Sequence, residues 1–168
     1  MSSVTGWQNT LDLRRFYPSN SDWMSATLTS NADSKRSPLI LLIEDDASDV
    51  FLFRRALSKL HYDCEVRVVA SAAEAKRFML NEGEFKHSTY FRTPDLIVSD
   101  FKLAGDTGLA FVQWLRAQSQ FANTPLVMLS GPTSGMDPAL FIGLTVNSFL
   151  RKSPDVVVLG ATLHPLLP

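Results

Sequence analysis

Cysteine is almost absent: Cys64 is the single one in 168 residues. It cannot close an internal disulfide or build a multi-cysteine zinc site, so it reads as a small core residue in a reducing compartment. The three histidines, His61, His87 and His164, lie in separate segments without metal-ligand spacing, which leaves surface or turn positions. No uncharged apolar run approaches the roughly 20 residues of a membrane span. The opening MSSVTGWQNTLDLRR also lacks the basic-then-apolar layout of a signal peptide. A cytoplasmic location without a membrane partner is the expectation. An excess of one charge sign is missing as well, with 16 basic and 17 acidic residues giving −1. Basic residues occur as scattered pairs such as Arg14-Arg15, Arg54-Arg55 and Lys76-Arg77 with acids close by, so no nucleic-acid partner is expected. Nor is there a Gly-rich strand-to-helix turn of the kind that cradles nucleotide phosphates.

What the chain does have is core material: 45% apolar and 10% aromatic residues, enough for one domain with room for an appendage. Composition shifts near Pro38. Residues 1–37 are rich in Ser, Thr and Asn, contain no run of three apolar residues and carry four basic against three acidic groups. They read as a flexible N-terminal extension, with Trp7, Phe16, Tyr17 and Trp23 leaving a docking role open. Residues 38–168 read as the folded domain.

From Leu39 short apolar runs alternate with helix-period stretches. Leu39 to Ile43 is a continuous branched run of five, the mark of a strand covered on both faces and hence of a parallel sheet. Asp46 to Leu60 follows as a helix, with Val50, Phe53, Leu57 and Leu60 on one stripe. Cys64 to Val69 predicts a second strand, and Ser71 with Glu74 a capping box that opens a second helix. A polar connection, Asn81 to Pro94, precedes a third strand, Leu96 to Asp100. Gly108 to Ala117 predicts a third helix, and Pro125 to Leu129 a fourth strand. Asp137-Pro138 has the form of an N-cap and a first helical residue for a short fourth helix. Ser148 to Arg151 predicts a fifth strand. Gly160, Pro165 and Pro168 limit the apolar tail to a brief fifth helix. This alternation predicts an α/β fold, a doubly wound parallel sheet of five strands.

The polar residues of this pattern fall at strand ends: Glu44-Asp45-Asp46 after the first, Asp100 on the third, Ser130 after the fourth and Lys152 after the fifth. In an open parallel sheet these ends share one edge, where ligands bind. Two carboxylates about 4 Å apart repel by roughly 4 kcal/mol at an effective dielectric of about 20, and one lysine offsets only part of this. For Glu44, Asp45 and Asp100 as a set, a divalent cation such as Mg²⁺ would relieve the rest. Asp46 or Asp49 reads more simply as a cap of the first helix.

These blocks resemble the receiver domain of two-component response regulators, a flavodoxin-like (βα)5 fold. LILLIEDDASDVFLFRRAL resembles its opening strand, acidic pair and first helix, and PDLIVSDFKLAGDTGLAFVQWLR its phosphoacceptor strand and loop. TPLVMLSG resembles the strand with the switch hydroxyl, and NSFLRKS the strand with the lysine. The resemblance spans about residues 38 to 160, with the blocks in family order. It implies that Asp100 is the phosphoacceptor, that Glu44 and Asp45 hold Mg²⁺ with Asp100 and the Lys102 carbonyl, and that Lys152 pairs with Asp100 or its phosphate. It further implies that Ser130 bonds the phosphoryl group and that Phe149 is the aromatic switch residue, an ordinary buried aromatic being the alternative. The sequence departs from the family pattern at Ala104, Gly131 and Ser153. The Lys-Ser ending and the enlarged connection around Asn81 to Arg92 resemble the small regulators that partner phytochrome-type histidine kinases.

The implied function is that of a single-domain response regulator, not an enzyme beyond its own phosphorylation and dephosphorylation. Its partners would be a histidine kinase and an unnamed downstream protein, and pairing with a second copy stays open. The alternative is an adaptor that keeps the receiver fold without phosphorylation. Haloacid-dehalogenase-type phosphatases fit less well, since Lys102 stands where a second aspartate is needed.

Overall fold

The computed structural model describes residues 36–86, 92–103, 106–131, 135–152 and 155–168. The expected extension 1–37 lies almost wholly outside the described residues, as do His87, Ala104 and Ser153. Five strands, β1 (Leu39–Ile43), β2 (Glu65–Val69), β3 (Leu96–Asp100), β4 (Leu126–Ser130) and β5 (Ser148–Arg151), form one parallel sheet in the order β2-β1-β3-β4-β5. The order reverses between β1 and β3, the crevice where such sheets bind ligands.

Every residue of β1, β3 and β4 is buried, as continuous apolar runs require when helices cover both faces. β2, at an edge, alternates between exposed and partly buried positions and ends on buried Val69. Four helices are described: α1 (Ala47–Lys59), α2 (Ala72–Leu80), α3 (Gly108–Ala117) and α4 (Val156–Leu163). Leu41, Ile43, Ile97 and Met128 pack with Phe78 and Met79 of α2 and Phe111 and Leu115 of α3. On the other face Ile40, Leu42, Val98 and Leu129 pack with Phe53 and Leu57 of α1 and Leu159 and Leu163 of α4. The alternation of side chains along each strand thus feeds two separate cores.

The helix starts follow their local chemistry. Asp46 is the N-cap of α1, accepting from the N–H groups of Ser48 at 2.7 Å and Asp49 at 3.1 Å. Ser71 caps α2 through the Glu74 N–H at 3.1 Å, while the Glu74 carboxylate accepts from Ala70 N–H at 2.8 Å. The reciprocal bond therefore lands one residue before the expected capping-box position.

The expected fourth helix is corrected: Pro138–Phe141 is a single 3₁₀ turn, capped by Asp137 on Ala139 N–H at 2.9 Å. Gly135 and Gly143, with φ of +65° and +82°, bracket the segment in left-handed backbone, and Ile142 has already left helical ψ, so no further turn can propagate. The last helix is brief, as expected, and its apolar surface is divided. Leu159 and Leu163 are buried in the core while Val157 and Val158 face outward.

Gly108 brings α3 onto the sheet edge. A Cβ there would lie 2.8 Å from the Asp100 carbonyl oxygen and 2.7 Å from Met128 Cε, and the Gly108 N–H donates to the Phe101 carbonyl at 2.8 Å. Two backbones meet with no room for a side chain. Gly108→Ala is expected to destabilise the protein by about 1–3 kcal/mol, the usual range for overpacking, read as a lower urea midpoint at unchanged slope.

Candidate phosphoacceptor site

At the carboxyl edge of the sheet the strand ends bring Glu44, Asp45, Asp100 and Lys152 together. Glu44 follows β1 and Asp100 ends β3; both are buried, at 2% and 3% exposure. Asp45 is exposed, yet one carboxylate oxygen from each of Glu44, Asp45 and Asp100 fits within a 4.8 Å cluster. Parallel register sets this distance: Ile43 pairs with Ser99, so the next residue on each chain emerges side by side.

Lys152 reaches across from the end of β5. Its Nζ lies 2.8 Å from Asp100 Oδ2, 2.9 and 3.0 Å from the two Glu44 oxygens, and 2.7 Å from Asp49 Oδ2. An ammonium has three donors, and three carboxylates take them. Burial works against the charge on Lys152, but hydrogen bonds to Asp100, Asp49 and Glu44 outweigh it and hold its pKa well above the ordinary lysine value. Glu44 moves upward too. Desolvation is the main cause, partly offset by hydrogen bonds from Lys152 and from the Asp46 N–H, with the nearby Asp100 charge adding to the rise.

When ionised, four carboxylates against one ammonium leave three negative charges in a small volume, which water reaches poorly at Glu44 and Asp100. Asp100 Oδ1 is buried without a hydrogen-bond partner. A buried, unbonded carboxylate oxygen beside two further carboxylates suits a hard divalent cation.

The other expected site residues take distinct places. Ser130 ends β4, buried, beside Arg151 in the register, and its carbonyl accepts from the Lys152 N–H at 2.8 Å. Lys102 is exposed and lies in a two-residue antiparallel ladder opposite Thr107, just after Asp100. Phe149 is partly buried on β5, and its ring meets Phe141 at 5.3 Å. Phe141 in turn lies 6.2 Å from Phe101, next to Asp100. This aromatic chain was not foreseen.

Asp49 is the other addition. It is no cap, because Asp46 takes that role; its side chain points to the sheet edge and binds Lys152. Its position three residues after the N-cap, in the first turn over the acidic edge, is the only sequence signal of this.

A parallel sheet of this strand order, with carboxylates and a lysine gathered at its carboxyl edge, has the plan of a signal-receiver domain. The sequence profile of the response regulator receiver domain matches residues 40–164, and the chain belongs to that family. It is similar to response regulator Rcp1 of Synechocystis sp., with 26% identity over 124 residues, 74% of this chain and 82% of Rcp1. Solved structures with the same fold include the bacteriophytochrome response regulator RtBRR, at 30% identity, TM-score 0.70 and 78% of each chain. The phosphorylated cyanobacterial phytochrome response regulator RcpA aligns at 26% identity and TM-score 0.64, over 78% of this chain and 91% of its own. The Mn²⁺-bound form of Rcp1 aligns at 25% identity and TM-score 0.63, over 77% and 91%. Among the described residues no helix is long and apolar enough to cross a membrane.

The raised Glu44 pKa makes stability depend on pH. A carboxyl that binds its proton more tightly folded than unfolded stabilises the fold on acidification, and that gain is lost as pH rises through the folded value. Asp46, lowered by the Asp49 and Ser48 N–H bonds, acts oppositely below its ordinary 3.8. In metal-free buffer the melting temperature is expected to rise as pH falls from neutral toward the ordinary Glu44 value of 4.5, then to drop as pH falls from Asp46's ordinary 3.8 through its lowered folded value. Glu44→Gln should flatten the rise; an unchanged profile in that variant would contradict the assignment.

Proposed function

We propose that this chain is a response regulator that accepts a phosphoryl group on Asp100 from a phosphohistidine of a histidine kinase and relays the change through a protein-binding surface. The observation that carries this reading is the buried Asp100 carboxylate, with Oδ2 on Lys152 and Oδ1 unbonded at the edge of an acidic cluster. An Asp100 oxygen forms the new bond to phosphorus. The bond from phosphorus to the imidazole nitrogen breaks, and its electron pair leaves with the histidine. Lys152 stays protonated and faces the oxygens over which charge spreads, and Ser130 donates its hydroxyl to the phosphoryl group. Bound Mg²⁺, held by Glu44, Asp45, Asp100 and the Lys102 carbonyl, would supply the remaining neutralisation.

The relay would run through Phe149. If Ser130 turns toward the phosphoryl group, Phe149 gains room to move inward, and its partner Phe141 belongs to the 3₁₀ turn that carries exposed Leu140 and is followed by exposed Ile142. That pair of apolar side chains is the natural contact for a downstream protein. The likeness to phytochrome response regulators supports a phytochrome-type kinase as the donor. Residues 1–37 are proposed as an extension outside this machinery.

With Mg²⁺ and acetyl phosphate, intact-mass measurement is expected to show one added phosphate, and Asp100→Asn none. Uptake by Asp100→Asn would overturn the assignment, and a wild-type chain that binds its kinase but takes no phosphate would indicate the adaptor reading. Mg²⁺ titration followed by intrinsic fluorescence should show binding weakened about tenfold or more in Asp45→Ala, since even outer-shell changes at metal sites cost that much.

A further inference from the structure

Lys152 is held by three carboxylates of unequal standing. Glu44 and Asp100 also belong to the carboxylate trio that suits a cation, whereas Asp49 lies outside it and makes the shortest contact, 2.7 Å. Asp49 sits on the first turn of α1, a backbone anchored by the Asp46 cap and by Phe53 and Leu57 in the core. It is about one-quarter exposed, against one-sixth for Lys152, so this pair sits at the solvent margin of the cluster.

Building on the phosphoacceptor reading of the site, we propose that Asp49 is a positioning residue for phosphoryl transfer, holding the Lys152 ammonium in place while the Asp100 carboxylate becomes an acyl phosphate. In that exchange an Asp100 oxygen bonds to phosphorus, the donor's P–O or P–N bond breaks, and the pair of electrons departs with the carboxylate (acetate from acetyl phosphate) or the imidazole. The Asp100 oxygen that Nζ now contacts then becomes part of an acyl phosphate whose charge sits further out on the phosphoryl oxygens, and Glu44 is shared with the cation cluster. Asp49 is the partner whose charge and position the reaction leaves unaltered. A lysine has four rotatable side-chain bonds, and freeing it from one anchor spreads its ammonium over more conformers.

The sign of the effect separates this role from simple electrostatics. Removing a negative charge from an acidic site should by itself favour approach of an anionic phosphodonor. If Asp49 positions Lys152, its removal slows the reaction despite the relief of charge. At saturating Mg²⁺, Asp49→Ala and Asp49→Asn are expected to take up phosphate from acetyl phosphate about three- to tenfold more slowly, with Mg²⁺ affinity within about twofold and Asp49→Glu regaining most of the rate, as misplacement of a catalytic group implies. The ζ-ammonium NMR signal of Lys152 should be sharp in the wild-type protein and broadened in Asp49→Ala; Asp49→Asn, nearly isosteric on an exposed turn, keeps both readouts if the alanine variant fails to fold. Equal or faster uptake in the folded variants would overturn the proposal, as would slower uptake with an unchanged ammonium signal. A wild-type protein that takes phosphate while the variants do so equally fast refutes the positioning role alone; a wild-type protein that takes none refutes the reading of the site on which it rests.

Discussion

The ion cluster around Lys152 is the constraint that ties this molecule together. Its ammonium binds side chains from the end of β1, the first turn of α1 and the end of β3, while its own backbone N–H is fixed to Ser130 at the end of β4. One residue thus senses four elements. Buried carboxylates without it would carry a desolvation cost that the surrounding apolar core could not offset, so the polar edge and the two cores are not independent.

The cores explain why that edge is rigid. β1, β3 and β4 are buried on both faces, and close packing on either side holds their carboxyl ends in register. Gly108 lets α3 approach until its first residue touches the Asp100 backbone. Arg116, later on α3, donates to the carbonyls of Phe121, Ala122, Thr124 and Thr145, binding the turn before β4 to the approach to β5. Burial alone pulls its pKa down, but an arginine remains charged there. The strand that bears Phe149 and leads to Lys152 is therefore delivered from a fixed base. The Phe101, Phe141 and Phe149 rings and the 3₁₀ turn lie along this fixed edge.

Much of this was legible in the chain itself. Unbroken branched runs at Leu39 to Ile43 and Leu96 to Val98 have one economical solution, a parallel sheet covered on both faces, because alternation would have left polar positions on one side. The strand-end acids follow, since parallel strands share one carboxyl edge whatever their order. The caps at Asp46 and Ser71 are local and were readable as such. Less legible was the segment after Asp137, whose Pro138 signals a helix start although bracketing glycines stop it after one turn. Propensity at a single position does not report on propagation.

Sequence by itself determined which residues could be charged together at one edge, because strand length, strand end and residue type are properties of contiguous chain. Tertiary structure alone decided how those charges pair. Asp49 reads as a helix-cap residue until Lys152, 103 positions away, is placed beside it, and Phe149 has no partner until the turn at Phe141 folds onto it. Such contacts depend on register and helix rotation to within an ångström or two, and nothing in local spacing encodes that. The acidic cluster was a statement about composition at an edge; the lysine at its centre, with three carboxylates on three donors, is a statement about geometry.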